Sequence, residues 1–292
     1  MWQFDMRQSS TFLGSIKMAP QTAQRVWGTL LPVEPEAKGT VLFVPAGKSQ
    51  DVEAIVLDEA NTHLLILAET GARLTVRVRM RSGGERRHTT EMLVRDGAVC
   101  AVTVVQECDD GARLTMREEA RIGKHATLTW QTRAIGAGDI DHALRSTVAG
   151  EQARSDIVWT CRASGTQRRS LRAENVFQAA QGSGEMTLRG IAEERATLRV
   201  LGKVIVGEHG SRTNTFLTQD VLMLDPTAKV DAVPALEIKT NDVKASHSAS
   251  VRRITPEDLF YFGARGIAQE TARNMFIRGF LGMAADASRG IE

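Results

Sequence analysis

Aromatic residues, cysteines and long apolar runs are all scarce in this 292-residue chain. Only 5% of the residues are aromatic, with a single tyrosine, so Val, Leu, Ile and Ala must supply most of the apolar interior. That bias favours many short, tightly packed strands over an aromatic-rich sandwich core. The three cysteines are odd in number and form no CxxC motif, which argues against a disulfide framework and favours a reducing compartment.

The sequence also lacks the usual features of membrane, secreted and nucleic-acid-binding chains. No apolar run approaches the roughly 20 residues that a membrane helix needs. The N-terminus, MWQFDMRQSS, has no apolar secretion signal. Net charge is only +2. The basic residues at 77–88 alternate as they would on the solvent-facing side of a strand, and no aromatic residues lie between them to stack on bases. We therefore expect a cytoplasmic protein with no membrane or nucleic-acid partner.

The hydrophobic pattern divides the chain into three parts. Residues 1–38 form a mixed, partly helical N-terminal arm. Residues 39–253 contain short apolar runs, rich in β-branched side chains and bounded by Gly, Asp and Asn turns, which predict consecutive strands. Residues 254–292 change to a helical pattern.

A weak internal repeat indicates how the strands are arranged. Residues 71–75 and residues 111–115 both read GARLT, an interval of 40 residues. Two solenoid coils of about 20 residues each would explain that interval. The Ala would fit a crowded corner, and the alternation after it would place one face inward. A β-sandwich with coincidental pentapeptides remains the alternative, but the Asn-Gly dipeptides typical of hairpins are missing.

The C-terminal region predicts two helices. Thr255 can cap the first helix, Pro256 suits its first position, and Asp258 completes a capping-box pattern. A second helix is expected at about residues 268–281, where apolar side chains recur on one face.

Residues 202–281 resemble the C-terminal region of the SufB/SufD family of iron–sulfur cluster assembly proteins. Six segments match in order: GKVIV at 202–206, PALEI at 234–238, DVKASHSAS at 242–250, LFY at 259–261, RGI at 265–267 and RGFL at 278–281. From about residue 50 to residue 200 only the strand rhythm matches, and the chain is short for the family.

The resemblance implies a mainly β fold, a right-handed parallel β-helix (β-solenoid) with a C-terminal helical hairpin subdomain. In the family, SufB and SufD pair through their β-helix ends, and each binds one copy of the ATPase SufC through its C-terminal helical region. We therefore expect a non-catalytic, SufD-like subunit whose partners are a SufC-like ATPase and either a SufB-like chain or a second copy of itself. ATP would belong to the partner, because this sequence has no Walker A motif.

His247 is the candidate iron–sulfur ligand, because it matches the family histidine near the SufB–SufD interface. The alternative is a histidine that only forms hydrogen bonds at that interface. Ser248 replaces a glutamate of SufB, the scaffold cysteine of SufB falls near Gln219, and Ala245 stands where SufD proteins often have cysteine. The resemblance thus implies no cofactor bound tightly by this chain alone, and a transient cluster in the complex.

Cys100, Cys108 and Cys161 do not have the close spacing typical of cluster ligands, and we expect them to be small buried hydrophobes. The C-terminal hairpin is the candidate ATPase-docking site, with one face packed on the solenoid end and the other facing the partner. Its candidate partner-binding residues are Phe260, Tyr261, Arg265, Gly266, Phe276, Arg278, Gly279 and Phe280.

Three other functions stay open at this point. The chain could be a minimal homodimeric scaffold that works with SufC alone, or a structural β-solenoid adaptor without cluster chemistry. A polysaccharide-cleaving enzyme would need clustered carboxylates on one face of the solenoid. The pairs Glu118-Glu119 and Glu193-Glu194 are adjacent, so on strands each pair would point to opposite faces.

Overall fold

The computed structural model of this protein describes residues 12–282. Residues 1–11 of the predicted N-terminal arm and residues 283–292 lie outside the described residues. The strands are β1 (Phe12–Gly14), β2 (Lys38–Val44), β3 (Ser49–Leu57), β4 (Asn61–Ala68), β5 (Arg73–Ser82), β6 (Glu85–Val94), β7 (Val99–Cys108), β8 (Arg113–Ile122), β9 (Thr127–Gly136), β10 (Asp139–Val148), β11 (Arg154–Ala163), β12 (Arg168–Phe177), β13 (Ser183–Ala192), β14 (Thr197–Val206), β15 (Thr213–Met223), β16 (Lys229–Ile238) and β17 (Val243–Arg253). The helices are a 3₁₀ turn (Ile16–Met18), α1 (Gln21–Val26), α2 (Pro256–Gly263) and α3 (Gln269–Phe280). None of the described helices is long and apolar enough to cross a membrane.

The strands form two parallel sheets that face each other. From β2 onward, even-numbered strands build one sheet and odd-numbered strands the other, in the orders β2-β4-β6-β8-β10-β12-β14-β16 and β3-β5-β7-β9-β11-β13-β15-β17. Each coil gives one strand to each sheet, and the coils stack into a parallel β-solenoid of about eight turns. The expected solenoid is confirmed, and the sandwich alternative is wrong.

Strict alternation along each strand creates the core. In β7 every second side chain is buried, from Cys100 to Cys108. Because the coils stack in register, buried side chains form columns along the solenoid, and one column contains Trp130, Ile157, Met186 and Leu217. Burial of each such side chain contributes roughly 1.5–3 kcal/mol.

The seven corners from β2–β3 to β14–β15, each between an even strand and the next odd strand, are held by a repeated turn. One residue per corner has a positive φ, first Gly47, Gly71 and Gly97, then His125, Gln152, Gln181 and Arg212. The backbone N–H of that residue donates to a carbonyl of the equivalent turn in the following coil, as from Gly71 to Asp96 (2.9 Å) and from His125 to Glu151 (2.9 Å). Ala72 and Ala126, next in the chain, are completely buried, which confirms the expected crowded corner.

The expected coil length is wrong. Lys38 aligns with Thr62 and Thr197 aligns with Lys229, so these successive coils are offset by 24 and 32 residues, not by 20. The first GARLT segment leads into β5 and the second leads into β8, in the other sheet. The two copies therefore mark one and a half coils, because both corners of the solenoid use a Gly-Ala turn.

The segment before β2 crosses the outer face of the even-numbered sheet. The carboxylate of Glu91, which is buried, accepts backbone N–H groups from Gly28 (2.7 Å) and Leu30 (3.0 Å). It also bonds Nε2 of His63 at 2.7 Å, and the ring of Trp27 lies 4.4 Å from the imidazole. This anchor holds the segment at the N-terminal end of the solenoid.

Of the two C-terminal helices, α3 lies against the side of the solenoid and α2 contacts α3. Thr255 and Asp258 form the predicted capping box of α2. Ile277 of α3 packs against Ile191 and Leu222, which project from the outer face of the odd-numbered sheet. The expectation that one face of the hairpin packs onto the solenoid end is therefore wrong.

Stacking of the turns leaves no room for a side chain at Gly150. A Cβ there would lie 2.0 Å from the backbone nitrogen of Lys124 in the preceding coil. We predict that Gly150→Ala lowers the free energy of unfolding by about 1–3 kcal/mol or more, measured by urea denaturation. Gly279→Ala is the control: it has no atom within 4 Å of the new Cβ, so it should be neutral or stabilise α3 by up to ~1 kcal/mol. Equal stability of the two variants would contradict the stacking described.

Candidate functional site

The two ends of the solenoid differ in how well the interior is covered. At the N-terminal end β1 pairs with β2, and Leu13 and Val52 pack against the core, so Leu42 is fully buried. At the C-terminal end, no strand within residues 12–282 pairs with the outer edges of β16 and β17. Ile238 and Val251, which continue inward-facing columns, are 40% and 49% exposed. The C-terminal end is therefore an open apolar surface with two unpaired strand edges.

His247 lies on this open end. It aligns with Leu217 of β15, so it continues the buried column that ends in Leu217, yet its side chain is exposed. The position is typical of a residue that meets a partner placed across the end. Within residues 12–282, no group of three or more His, Cys, Asp or Glu side chains is arranged to hold a metal ion.

Gln219, which the resemblance relates to the scaffold cysteine of SufB, lies one coil inside the open end. Its side chain is fully buried, and its Nε2 donates to the carbonyl of Val200 at 2.7 Å, while Oε1 has no partner. Ala249 aligns with it in β17, and Ala245 and Ser248 flank His247. None of these side chains is a thiol, so the imidazole of His247 is the one candidate iron ligand on the inward face of β17.

The three cysteines are all buried and free, as expected. Burial raises the pKa of Cys100 and of Cys161 to about 12. Burial also raises the pKa of Cys108 to about 11, although the guanidinium of Arg169 opposes this shift. A thiol is a metal ligand only as thiolate, so these three are poor candidates for cluster chemistry.

The solenoid interior contains polar side chains that the sequence reasoning missed. His142 and Glu118 are fully buried or nearly so, and their Nε2 and Oε2 atoms are 2.7 Å apart. His88 bonds Thr62 through Nδ1, and burial, reinforced by Arg86, lowers the pKa of His88 to about 4. The sequence pattern could have identified these residues. They fall at the positions of the two-residue alternation that point inward, where polar side chains are rare.

The exposed aromatic part of the predicted docking surface lies on α2 and the turn after it. Phe260 is 77% exposed and Tyr261 is 55% exposed. The guanidinium of Arg265 stacks 3.6 Å from the centre of the Tyr261 ring and donates to the Tyr261 carbonyl at 3.0 Å. Gly266 ends the turn with φ +73°. Large apolar groups this exposed are typical of an interaction site.

The candidate partner-binding residues of α3 fall into a packed group and an exposed group. Phe276 packs edge-on against Phe262 of α2, with ring centres 5.2 Å apart, and Phe280 packs toward the sheet beside Ile277. Gly279 and Arg278 are exposed. The structure thus leaves Phe260, Tyr261 and Arg265 exposed on α2 and the turn after it, with Tyr261 and Arg265 in contact, and gives Phe276 and Phe280 packing roles.

The acidic pairs do not form an exposed carboxylate cluster. Glu118 points into the interior and Glu119 points out, as the alternation predicts. Glu193 is nearly buried and bonds Arg162 (2.5 Å) and Arg273 of α3 (3.4 Å), so it helps to hold the helix.

Comparison with known proteins agrees with this arrangement. The sequence model of one family, described as the SufBD core domain of the SUF system for FeS cluster assembly, matches residues 52–280. An iron–sulfur cluster assembly SufBD family protein of Mycobacterium leprae is 25% identical over 84% of this chain and 30% of its own length. The SufD protein of Bacillus subtilis is 27% identical over 83% of this chain and 59% of its own. The SufB protein of the same organism is 24% identical over 65% of this chain and 41% of its own. The chain thus spans 30% to 59% of the length of these relatives.

The burial of the thiols generates a direct test. We predict that none of the three cysteines reacts with a thiol reagent such as dithionitrobenzoate in the native protein at pH 8, because burial holds each pKa well above that pH. All three should react within minutes in guanidinium chloride. A thiol that reacts equally fast in both conditions would contradict its placement in the core.

Proposed function

This chain belongs to the SufBD family of iron–sulfur cluster assembly proteins, and from that premise we propose that it is a SufD-like, non-catalytic subunit of a scaffold complex. In this proposal its solenoid end pairs with a second β-solenoid of the family, and its C-terminal helices dock a SufC-like ATPase. The three buried thiols fit a reducing, cytoplasmic location.

The observation that carries the proposal is the asymmetry of the two solenoid ends. The C-terminal end exposes apolar side chains and two unpaired strand edges, whereas at the N-terminal end β1 covers the edge of β2 and β3 alone has an unpaired edge within residues 12–282. Unpaired edges are templates for pairing with another chain, and pairing would also bury the exposed side chains of Ile238 and Val251.

His247 would face the cluster, which in this system is cargo assembled between chains. A neutral imidazole can donate one ligand to iron. The open end offers no thiolate from this chain, so the partner chain would have to supply the remaining ligands.

The ATPase would dock on the surface formed by Phe260, Tyr261 and Arg265. Exposed aromatic side chains beside an arginine are the groups that contribute most to protein–protein binding. Energy from ATP would belong to the docked subunit, because no Walker A motif occurs in this sequence.

A structural adaptor is the second candidate function, and Gln219 is the observation that favours it. The resemblance aligns Gln219 with the scaffold cysteine of SufB. Its buried amide cannot supply a sulfur ligand, so this chain has none at that position. In the adaptor role the chain would pair and dock in the same way, but His247 would form only hydrogen bonds.

The docking role predicts that Phe260→Asp weakens binding of the cognate SufC by roughly tenfold or more, measured by copurification and titration calorimetry. The melting temperature should not change, because Phe260 is exposed. Phe276→Asp is a poorer test, since its ring packs against Phe262 and the change would loosen the hairpin.

Val56→Asp is the matched control for Phe260→Asp. Val56 is 46% exposed and lies on β3, in the first coil, whereas α3 packs against the coils near the other end of the solenoid. It should leave SufC binding unchanged. If Phe260→Asp binds SufC as well as the control does, the docking surface is wrongly assigned.

For cluster chemistry we predict that His247→Ala, coexpressed without oxygen with the cognate SufC and SufB, forms the complex but loses most of its bound iron and sulfide. His209→Ala, which changes another exposed histidine on a turn, should keep both. Unchanged iron and sulfide in His247→Ala would support the adaptor and reject His247 as a ligand.

A further inference from the structure

One charged side chain inside the solenoid forms hydrogen bonds only with neutral groups. Arg169, the second residue of β12, is 1% exposed. Three carboxylates are also buried, and each bonds a histidine or an arginine, in the pairs Glu91–His63, Glu118–His142 and Glu193–Arg162. Arg169 forms no ion pair with any residue from 12 to 282. It is therefore the exception among the buried Asp, Glu, Lys and Arg side chains of that range.

The guanidinium of Arg169 also has more N–H groups than acceptors. Its Nη2 donates to the carbonyl of Gly136 at 2.7 Å and to Oε1 of Gln167 at 3.2 Å. Its Nε and Nη1 have no acceptor among residues 12–282. All three nitrogens of a guanidinium carry hydrogens, and buried polar groups nearly always have a hydrogen-bond partner. The N–H groups on Nε and Nη1 therefore indicate a ligand beside them.

A neutral acceptor would complete these hydrogen bonds without offsetting the charge. Arginine stays protonated in proteins, and burial of a charge is strongly unfavourable unless an opposite charge lies beside it. Burial lowers the pKa of Arg169, and Cys161, Cys108 and Asp139 oppose that shift. The thiols are neutral, since burial raises the pKa of Cys161 to about 12 and that of Cys108 to about 11. Asp139 lies beyond ion-pair distance, and its Oδ1 accepts the N–H of Arg168 at 2.7 Å.

The groups beside the guanidinium favour a small, singly charged anion. Gly136, whose carbonyl accepts from Nη2, has no side chain, and it aligns with Cys108 of the preceding coil. Burial raises the pKa of Cys108 and of Cys161, and the guanidinium opposes both shifts, so both thiols lie within reach of its charge. Thiols are weak donors, which suits a halide better than an oxyanion. A doubly charged anion such as sulfate would keep one charge without compensation.

The guanidinium lies just inside the corner between β11 and β12. Gln167 belongs to that corner and is partly exposed. Its Oε1 accepts from Arg169 and also from the backbone N–H of Ser164 at 3.1 Å, so it joins the guanidinium to the corner. Local opening of such a segment requires less free energy than unfolding of the strands. An ion can therefore exchange with solvent while the coils stay stacked.

We propose that Arg169 binds a small monovalent anion of the chloride class beneath the corner between β11 and β12. Nε and Nη1 donate hydrogen bonds to the anion, whose charge offsets that of the guanidinium. The thiols of Cys108 and Cys161 lie beside it as neutral, polarisable groups. The site is inside the solenoid, away from the open end and from the C-terminal helices, and it does not rest on the proposed function.

The first test compares two salts at the same ionic strength and pH. The melting temperature of the wild-type protein should be higher in sodium chloride than in sodium gluconate by about 2–4 °C. The reason is that a ligand that binds only the folded state stabilises it by mass action. Gluconate is too large to enter the site, and equal ionic strength keeps the screening of surface charges the same.

Two variants show whether the effect belongs to Arg169. Arg169→Met removes the buried charge, and it should abolish the difference between the two salts, whatever its own stability. Arg172→Met is the matched control, because it changes an exposed arginine on the outer face of the same strand. This control should keep the full difference.

Diffraction from wild-type crystals grown in sodium bromide gives a readout that needs no variant. Anomalous scattering should place a bromide ion within hydrogen-bonding distance of Nε or Nη1 of Arg169. Three results would overturn the proposal: equal melting temperatures in the two salts, a chloride effect that survives Arg169→Met, or a water molecule in place of the bromide. None of these measurements involves a partner chain, ATP or iron, so they are independent of the tests of the proposed function.

Discussion

In-register stacking of successive coils is the constraint on which the rest of this structure depends. Each strand bonds to the strand one coil earlier and the strand one coil later, so a side chain must match the residues directly above and below it. The repeated left-handed corner holds this alignment, since its N–H group always reaches the next turn. Coil length can then vary while the columns stay continuous over most of the solenoid; inside the strands the register shifts between Val52 and Ile55 of β3.

The local elements were predictable because local rules decide them. Two-residue alternation identified the strands, buried alanine identified the corners, and Thr255 with Asp258 identified the start of α2. The coil period was not predictable from the GARLT pair, because both corners of a coil use the same kind of turn. The packing of α3 against the side of the solenoid was not predictable either. It depends on Ile191 and Leu222, which project outward from two different strands.

The resemblance nominated candidate site residues but did not predict their geometry. The resemblance pointed to His247 and to the C-terminal aromatics, and the structure puts His247 on an exposed end and Phe260 on an exposed helix face. Sequence could not distinguish Phe260 from Phe276, because both are aromatic at helical spacing and only the packing of Phe276 against Phe262 separates them. The His142–Glu118 pair escaped notice because the two residues lie on different strands and meet only when β8 and β10 align.

The uncovered coil at the C-terminal end has a consequence for how this protein responds to its surroundings. An interior coil is stabilised from both sides, but β16 and β17 have a neighbour on one side within the described residues. In a nearest-neighbour chain the terminal unit opens at the lowest free energy. Anything that stacks on that end therefore raises the stability of the last coil by mass action, and an orphaned subunit frays from this end first. Amide hydrogen exchange along β17 would therefore report whether a partner covers this end. Exchange would be slow when the end is covered and fast when it is not.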